Sequence, residues 1–108
     1  MPAIFMSERG CGMNYFDNAK IFYTFSVVKK SAENSTFCKD VEKSVQRFKS
    51  SDWGEVSQFD CEQNDETVKD GDMVLGAYNT NQGRLWVIAE SSNGYEYGRI
   101  TVLFPSEY

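Results

Sequence analysis

A chain of 108 residues fits one domain, and its sixteen aromatic residues supply material for a single core without disulfides or metals. No run approaches the roughly 18 apolar residues of a membrane span, and the opening Met-Pro-Ala-Ile-Phe-Met-Ser-Glu-Arg lacks the pattern of a signal peptide, so a soluble, cytoplasmic protein is expected. The absence of histidine removes Ser-His and Cys-His nucleophile pairs, and three widely spaced cysteines (Cys11, Cys38 and Cys61) form neither a disulfide framework nor a zinc ligand set.

In chain order, residues 1–18 read as an N-terminal arm or loop preceding a domain over residues 19–108. Residues 20–28, Lys-Ile-Phe-Tyr-Thr-Phe-Ser-Val-Val, carry the aromatic and β-branched composition of a strand, with Ile21, Tyr23, Phe25 and Val27 on one face. A helix follows over residues 35–49, capped by Asn34 or Ser35. Phe37, Val41, Val45 and Phe48 form its buried stripe, and Lys39, Lys43 and Arg47 an exposed basic one.

A second helix is predicted over residues 57–69, with Ser57 and Asp60 at capping-box spacing, Val56 and Cys61 as a hydrophobic staple, and Gly71 as the left-handed stop. Its first half is the better supported, because acids near its C-terminus oppose the helix dipole. Strands follow over residues 73–78 and 84–90, joined by a five-residue loop, then a turn over residues 91–94 and a last strand over residues 97–104 that Pro105 stops. The expected fold class is α+β, in the order β-α-α-β-β-β: a four-stranded, mainly antiparallel sheet with two helices on one face. The last strand is a candidate edge, and an exposed edge would allow a homodimer.

Charge is distributed unevenly. Residues 1–51 hold eight Lys or Arg against five Asp or Glu. Residues 52–72 hold Asp52, Glu55, Asp60, Glu62, Asp65, Glu66, Asp70 and Asp72 against Lys69 alone. This segment therefore carries more than the whole net charge of −5. A dense acidic run is most simply a solvated surface, but carboxylates on a rigid helix also complement a basic groove, speeding association and opposing wrong partners. Trp53 and Phe59 are candidate aromatic anchors for such a contact, unless both belong to the core.

Other chemistries find less support. Gly10-Cys11-Gly12 presents a loop thiol with no base beside it, and lacks the third glycine of a dinucleotide fingerprint. Asp60, Asn64 and Asp65 do not match the calcium-loop spacing, so no metal and no cofactor is expected. The Lys39, Lys43 and Arg47 stripe would suit RNA, but the acidic chain as a whole repels a polyanion, so direct nucleic-acid binding is disfavoured.

The C-terminal half adds a resemblance. Trp53-Gly54-Glu55-Val56-Ser57, Asp60, Asn64-Asp65, Leu75-Gly76-Ala77-Tyr78, the run from Gly83 to Glu90 and the closing Thr101-Val102-Leu103-Phe104-Pro105-Ser106-Glu107-Tyr108 are similar to a family of small proteins carried on plasmids, phages and conjugative elements of Gram-positive bacteria. The resemblance spans roughly residues 52–108 and implies the company of host-defence inhibitors, anti-CRISPR proteins among them. The functional expectation is a non-enzymatic inhibitor of a host defence nuclease, a Cas9-type effector first. It would occlude a basic nucleic-acid-binding surface with Asp52, Trp53, Glu55, Asp60, Glu62, Asp65, Glu66, Asp70 and Asp72. The alternatives are a regulatory or toxin–antitoxin-type partner protein of a mobile element, or a small RNA-binding module.

Overall fold

A computed structural model describes residues 15–91 and 96–108. Its elements run β1 (Lys20–Tyr23), α1 (Phe25–Glu33), α2 (Ser35–Lys49), α3 (Gln58–Asp70), β2 (Val74–Thr80), β3 (Gly83–Glu90) and β4 (Arg99–Leu103), closed by a 3-10 turn over Pro105–Glu107. The four strands form one sheet in the order β1-β4-β3-β2. β2, β3 and β4 pair antiparallel, and β1 joins β4 in parallel, so the α+β class holds with a mixed sheet.

Period-two alternation along these strands builds the core. In register, Val74, Gly76 and Tyr78 of β2 stand beside Ala89, Val87 and Leu85 of β3, and Val87 and Ala89 stand beside Val102 and Ile100 of β4. Onto that face α2 lays Phe37, Val41, Val45 and Phe48, the stripe anticipated from spacings of four, four and three. Each of these large side chains contributes about 1.5–3 kcal/mol by leaving water. Of the two cap candidates Asn34 takes the position, its Oδ1 accepting the Phe37 N–H at 2.9 Å. The buried Ser44 hydroxyl is satisfied by donating to the Asp40 carbonyl at 2.7 Å.

The expected strand over 20–28 is corrected: β1 ends at Tyr23 and α1 begins at Phe25. Thr24 is extended and its Oγ1 accepts the Val27 N–H at 3.4 Å, so a cap stands inside the aromatic run. Only Val27 of α1 is buried, in the same core. Strand propensity there yields to the contacts one buried valine can make. Phe25 therefore does not share a face with Ile21, and the helices number three among the described residues.

Three further differences follow from strand pairing and ring packing. The expected five-residue hairpin loop shrinks to Asn81-Gln82, because the ladder runs out to Thr80 opposite Gly83. The Asn81 N–H donates to Asp40 Oδ2 at 3.0 Å, tying the hairpin to α2. The last strand is interior, between β1 and β3, so the edges are β1 and β2. The body also extends N-terminal to residue 19: Phe16 is fully buried against Phe48, Trp53 and Tyr97, with ring centroids 5.0, 6.5 and 5.0 Å away. Cys11 with its flanking glycines, and most of the expected turn at 91–94, lie outside the described residues.

Candidate functional site

The acidic segment begins where α2 stops. Arg47 grips Asp52 with two nitrogens, Nε to Oδ2 at 2.8 Å and Nη2 to Oδ1 at 3.1 Å, and its guanidinium lies 5.2 Å above the Tyr78 ring. The hydrogen bond from Arg47 holds the Asp52 carboxyl below the usual carboxylate range. Tyr78 in turn donates its hydroxyl to the Asp52 carbonyl at 2.7 Å, and burial raises its phenol pKa well above the ordinary value. Arg47 is thereby removed from the expected basic stripe, leaving Lys39 and Lys43 exposed without it.

The next residues close the outer edge of β2. The Ala77 N–H donates to the Trp53 carbonyl at 3.0 Å, and the Glu55 N–H to the Ala77 carbonyl at 2.6 Å, one parallel bridge centred on Gly54. Glycine is required there: φ is +79°, and a Cβ would meet the Ala77 carbonyl oxygen at 2.1 Å. Further along the same edge Asn64 Nδ2 donates to the Leu75 carbonyl at 2.9 Å. The N–H and C=O of Ala77 and the C=O of Leu75 are thus paired with a loop and a side chain in place of a fifth strand.

α3 is held against this edge from its inner side. Ser57 caps it, with Oγ accepting the Asp60 N–H at 3.0 Å, and Gly71 ends it in the left-handed region at φ 78°. The helix continues through Asp70, so both halves form despite the acids at its C-terminal end. Val68 is buried, with Cys61 and Val56 packed against the same core.

These contacts divide the nine expected site residues. Trp53 is corrected from surface anchor to core residue: it is 1% exposed, and its ring meets Phe48 edge-on at 5.2 Å. Its indole N–H donates to Asp65 Oδ1 at 2.9 Å, so Asp65 is a fastener between loop and helix. Asp52 is likewise committed to Arg47. Glu55, Asp60, Glu62, Glu66, Asp70 and Asp72 remain on the surface. Glu62 accepts from Gln58 Nε2 at 2.9 Å and Glu66 pairs loosely with Lys69 at 3.5 Å, both contacts exposed. Six surface acids thus share a single neighbouring cation of their own segment, Lys69.

Phe59 is the aromatic this surface presents, at 68% exposure. Its position was legible in the sequence. Cys61, Asn64 and Val68 recur at three and four on the inner stripe, and Phe59 stands about 160° from Cys61 at 100° per residue. The arrangement offers a convex helix with an apolar ring among carboxylates, backed by a hydrogen-bonded edge. Among the described residues no three His, Cys, Asp or Glu side chains converge on a metal-sized site, and no helix is long and apolar enough to cross a membrane. No protein-family model, curated protein or solved structure matches the chain.

Proposed function

We propose that this protein is a non-enzymatic inhibitor that docks the outer face of α3 on the basic nucleic-acid-binding surface of a host defence nuclease, an RNA-guided CRISPR effector first. The observation that carries the reading is Phe59, exposed at 68% on a helix whose neighbouring surface positions include Glu62 and Glu66. An interface places an aromatic anchor inside a charged rim, and Phe59 among these acids matches that arrangement. Glu55, Asp60, Glu62, Glu66, Asp70 and Asp72 then pair with Lys and Arg that otherwise hold guide RNA or target DNA. The choice of partner follows only the expected resemblance of residues 52–108 to mobile-element proteins.

Exposed ion pairs contribute little each, so the carboxylates act mainly on association rate and orientation, and Phe59 on residence time. The RNA-binding alternative loses Arg47 to Asp52. The test is target cleavage by purified RNA-guided nucleases, with the protein added before or after guide loading. Inhibition that depends on the order of addition supports occlusion. Undiminished cleavage by every nuclease, with capture of a protein encoded beside this one, moves the function to a cognate regulatory partner.

A further inference from the structure

The opposite edge of the sheet is open. β1 has one neighbouring strand, β4, and no strand among the described residues lies beyond it. The Lys20 N–H donates to Gly98 O at 3.0 Å and the Thr24 N–H to Val102 O at 3.1 Å, so the even residues of β1 face β4. Ile21 and Tyr23 consequently turn their N–H and C=O groups outward, the arrangement that accepts another strand. Unlike β2, this edge is closed by no loop or side chain among the described residues.

Two features surround that edge. Phe22, Tyr23, Phe25 and Val28 are 49, 43, 79 and 51% exposed, four of the seven large exposed hydrophobic residues among the described residues, within seven consecutive positions. Beside them is a cavity of about 360 Å³ lined by Lys20, Phe22, Glu90, Ser91, Gly98 and Arg99. Lys20 and Arg99 are register partners, and the Arg99 guanidinium lies 5.6 Å from the Phe22 ring centroid. Neither forms an ion pair among the described residues. Two cations thus face a single carboxylate, Glu90, among the described residues that line the cavity.

We propose that the outer edge of β1 binds an extended acidic peptide segment as a fifth strand. Its backbone pairs with Ile21 and Tyr23, a carboxylate enters the cavity between Lys20 and Arg99, and an apolar side chain two residues along covers Phe22. Successive side chains of a strand alternate faces, so acid and apolar group must stand two apart on the cavity side. The charge selects the occupant: a second copy would bring another Lys20 to the cavity, whereas a strand carboxylate neutralises Lys20 and Arg99 there, the acids Glu42 and Glu107 lying towards the Tyr23–Thr24 end of the edge. This surface is remote from α3 and independent of the inhibitor reading.

The test is amide NMR of the full chain titrated with the peptide acetyl-Glu-Thr-Val-Thr-Glu-amide. The amides of residues 20–23 and Arg99 are expected to shift, with exchange slowed at Ile21 and Tyr23. Binding should fall at least tenfold for the peptide with Lys in place of Glu, and for the K20E/R99E double variant, whose substituted side chains are exposed. A variant reversing the α3 acids should bind the peptide as the wild type does. Shifts absent from β1, or affinity indifferent to these charges, overturns the proposal. So does a concentration-dependent dimer that protects Ile21 and Tyr23 without peptide, which would make a second copy the occupant.

Discussion

Gly54 and Tyr97 show how single residues set the stability of this surface. A Cβ at Gly54 would stand 2.1 Å from the Ala77 carbonyl oxygen, in a backbone conformation that L side chains rarely adopt. Gly54→Ala must displace residues 53–55 from β2, breaking the bridge and disturbing Trp53. A loss of about 2–4 kcal/mol is expected, read as a fall in the urea midpoint. Burial pushes the Tyr97 phenol up to about 12, with the charges of Asp72 and Asp70 adding to the effect. The folded state therefore holds this proton more tightly than the unfolded chain. The associated stability is intact below the ordinary tyrosine value of 10.0 and is lost as pH rises from there towards 12. The urea midpoint should fall across that window, and Tyr97→Phe should reduce the slope.

At the scale of the element, α3 separates folding from binding. Its inner contacts (Val68, Cys61, the Trp53–Asp65 bond and the Asn64–Leu75 bond) do not involve the outer acids. Reversing Asp60, Glu62, Glu66 and Asp70 to Lys should leave the fold intact, since surface changes of this kind usually shift stability within about 0.5 kcal/mol each. The terms have opposite signs. Asp60 lies in the first turn, where the dipole favours an acid, and Asp70 in the last, where it favours a base. Asp70→Lys alone should therefore raise the thermal midpoint and Asp60→Lys lower it, each by an amount equivalent to about 0.3–1 kcal/mol. Equal shifts of one sign would mean that local ion pairs, not the dipole, govern the helix.

Helices α2 and α3 were legible because their apolar positions, caps and stop residues agree: Asn34 and Ser57 at the starts, Gly71 at an end. α1 was not, because Phe25, Val27 and Val28 carry strand composition and the decisive cap, Thr24, stands within an aromatic run. The split of the acids was legible only in part. Nothing in residues 52–72 distinguishes Asp52 and Asp65, used internally, from Glu62 or Asp70. That difference arises from Arg47 and Trp53, neighbours created by the fold.

Across the whole molecule, the two sheet edges differ in kind. The β2 edge is met by residues 53–55 and Asn64 and carries the acids, whereas the β1 edge has no further strand among the described residues and has Lys20 and Arg99 in the cavity beside it. One core spans both, and Phe16, placed before any strand, touches rings from α2, from the loop leading to α3 and from the segment before β4. Phe16→Ala should cost about 3–5 kcal/mol, visible as a large fall in the urea midpoint, if these pieces form one cooperative unit. A loss under about 1 kcal/mol would mean that the N-terminal turn is dispensable.

Inhibition through the outer face of α3 is proposed to be an act of binding. The most direct measurement is target cleavage by a purified RNA-guided nuclease preincubated with wild-type protein, with Phe59→Ser, and with the fourfold reversal of Asp60, Glu62, Glu66 and Asp70 to Lys. Inhibition by wild type should weaken with salt, fall at least tenfold for Phe59→Ser and vanish in the reversal variant, with thermal midpoints close to wild type. Full inhibition by a folded reversal variant would contradict binding through this face.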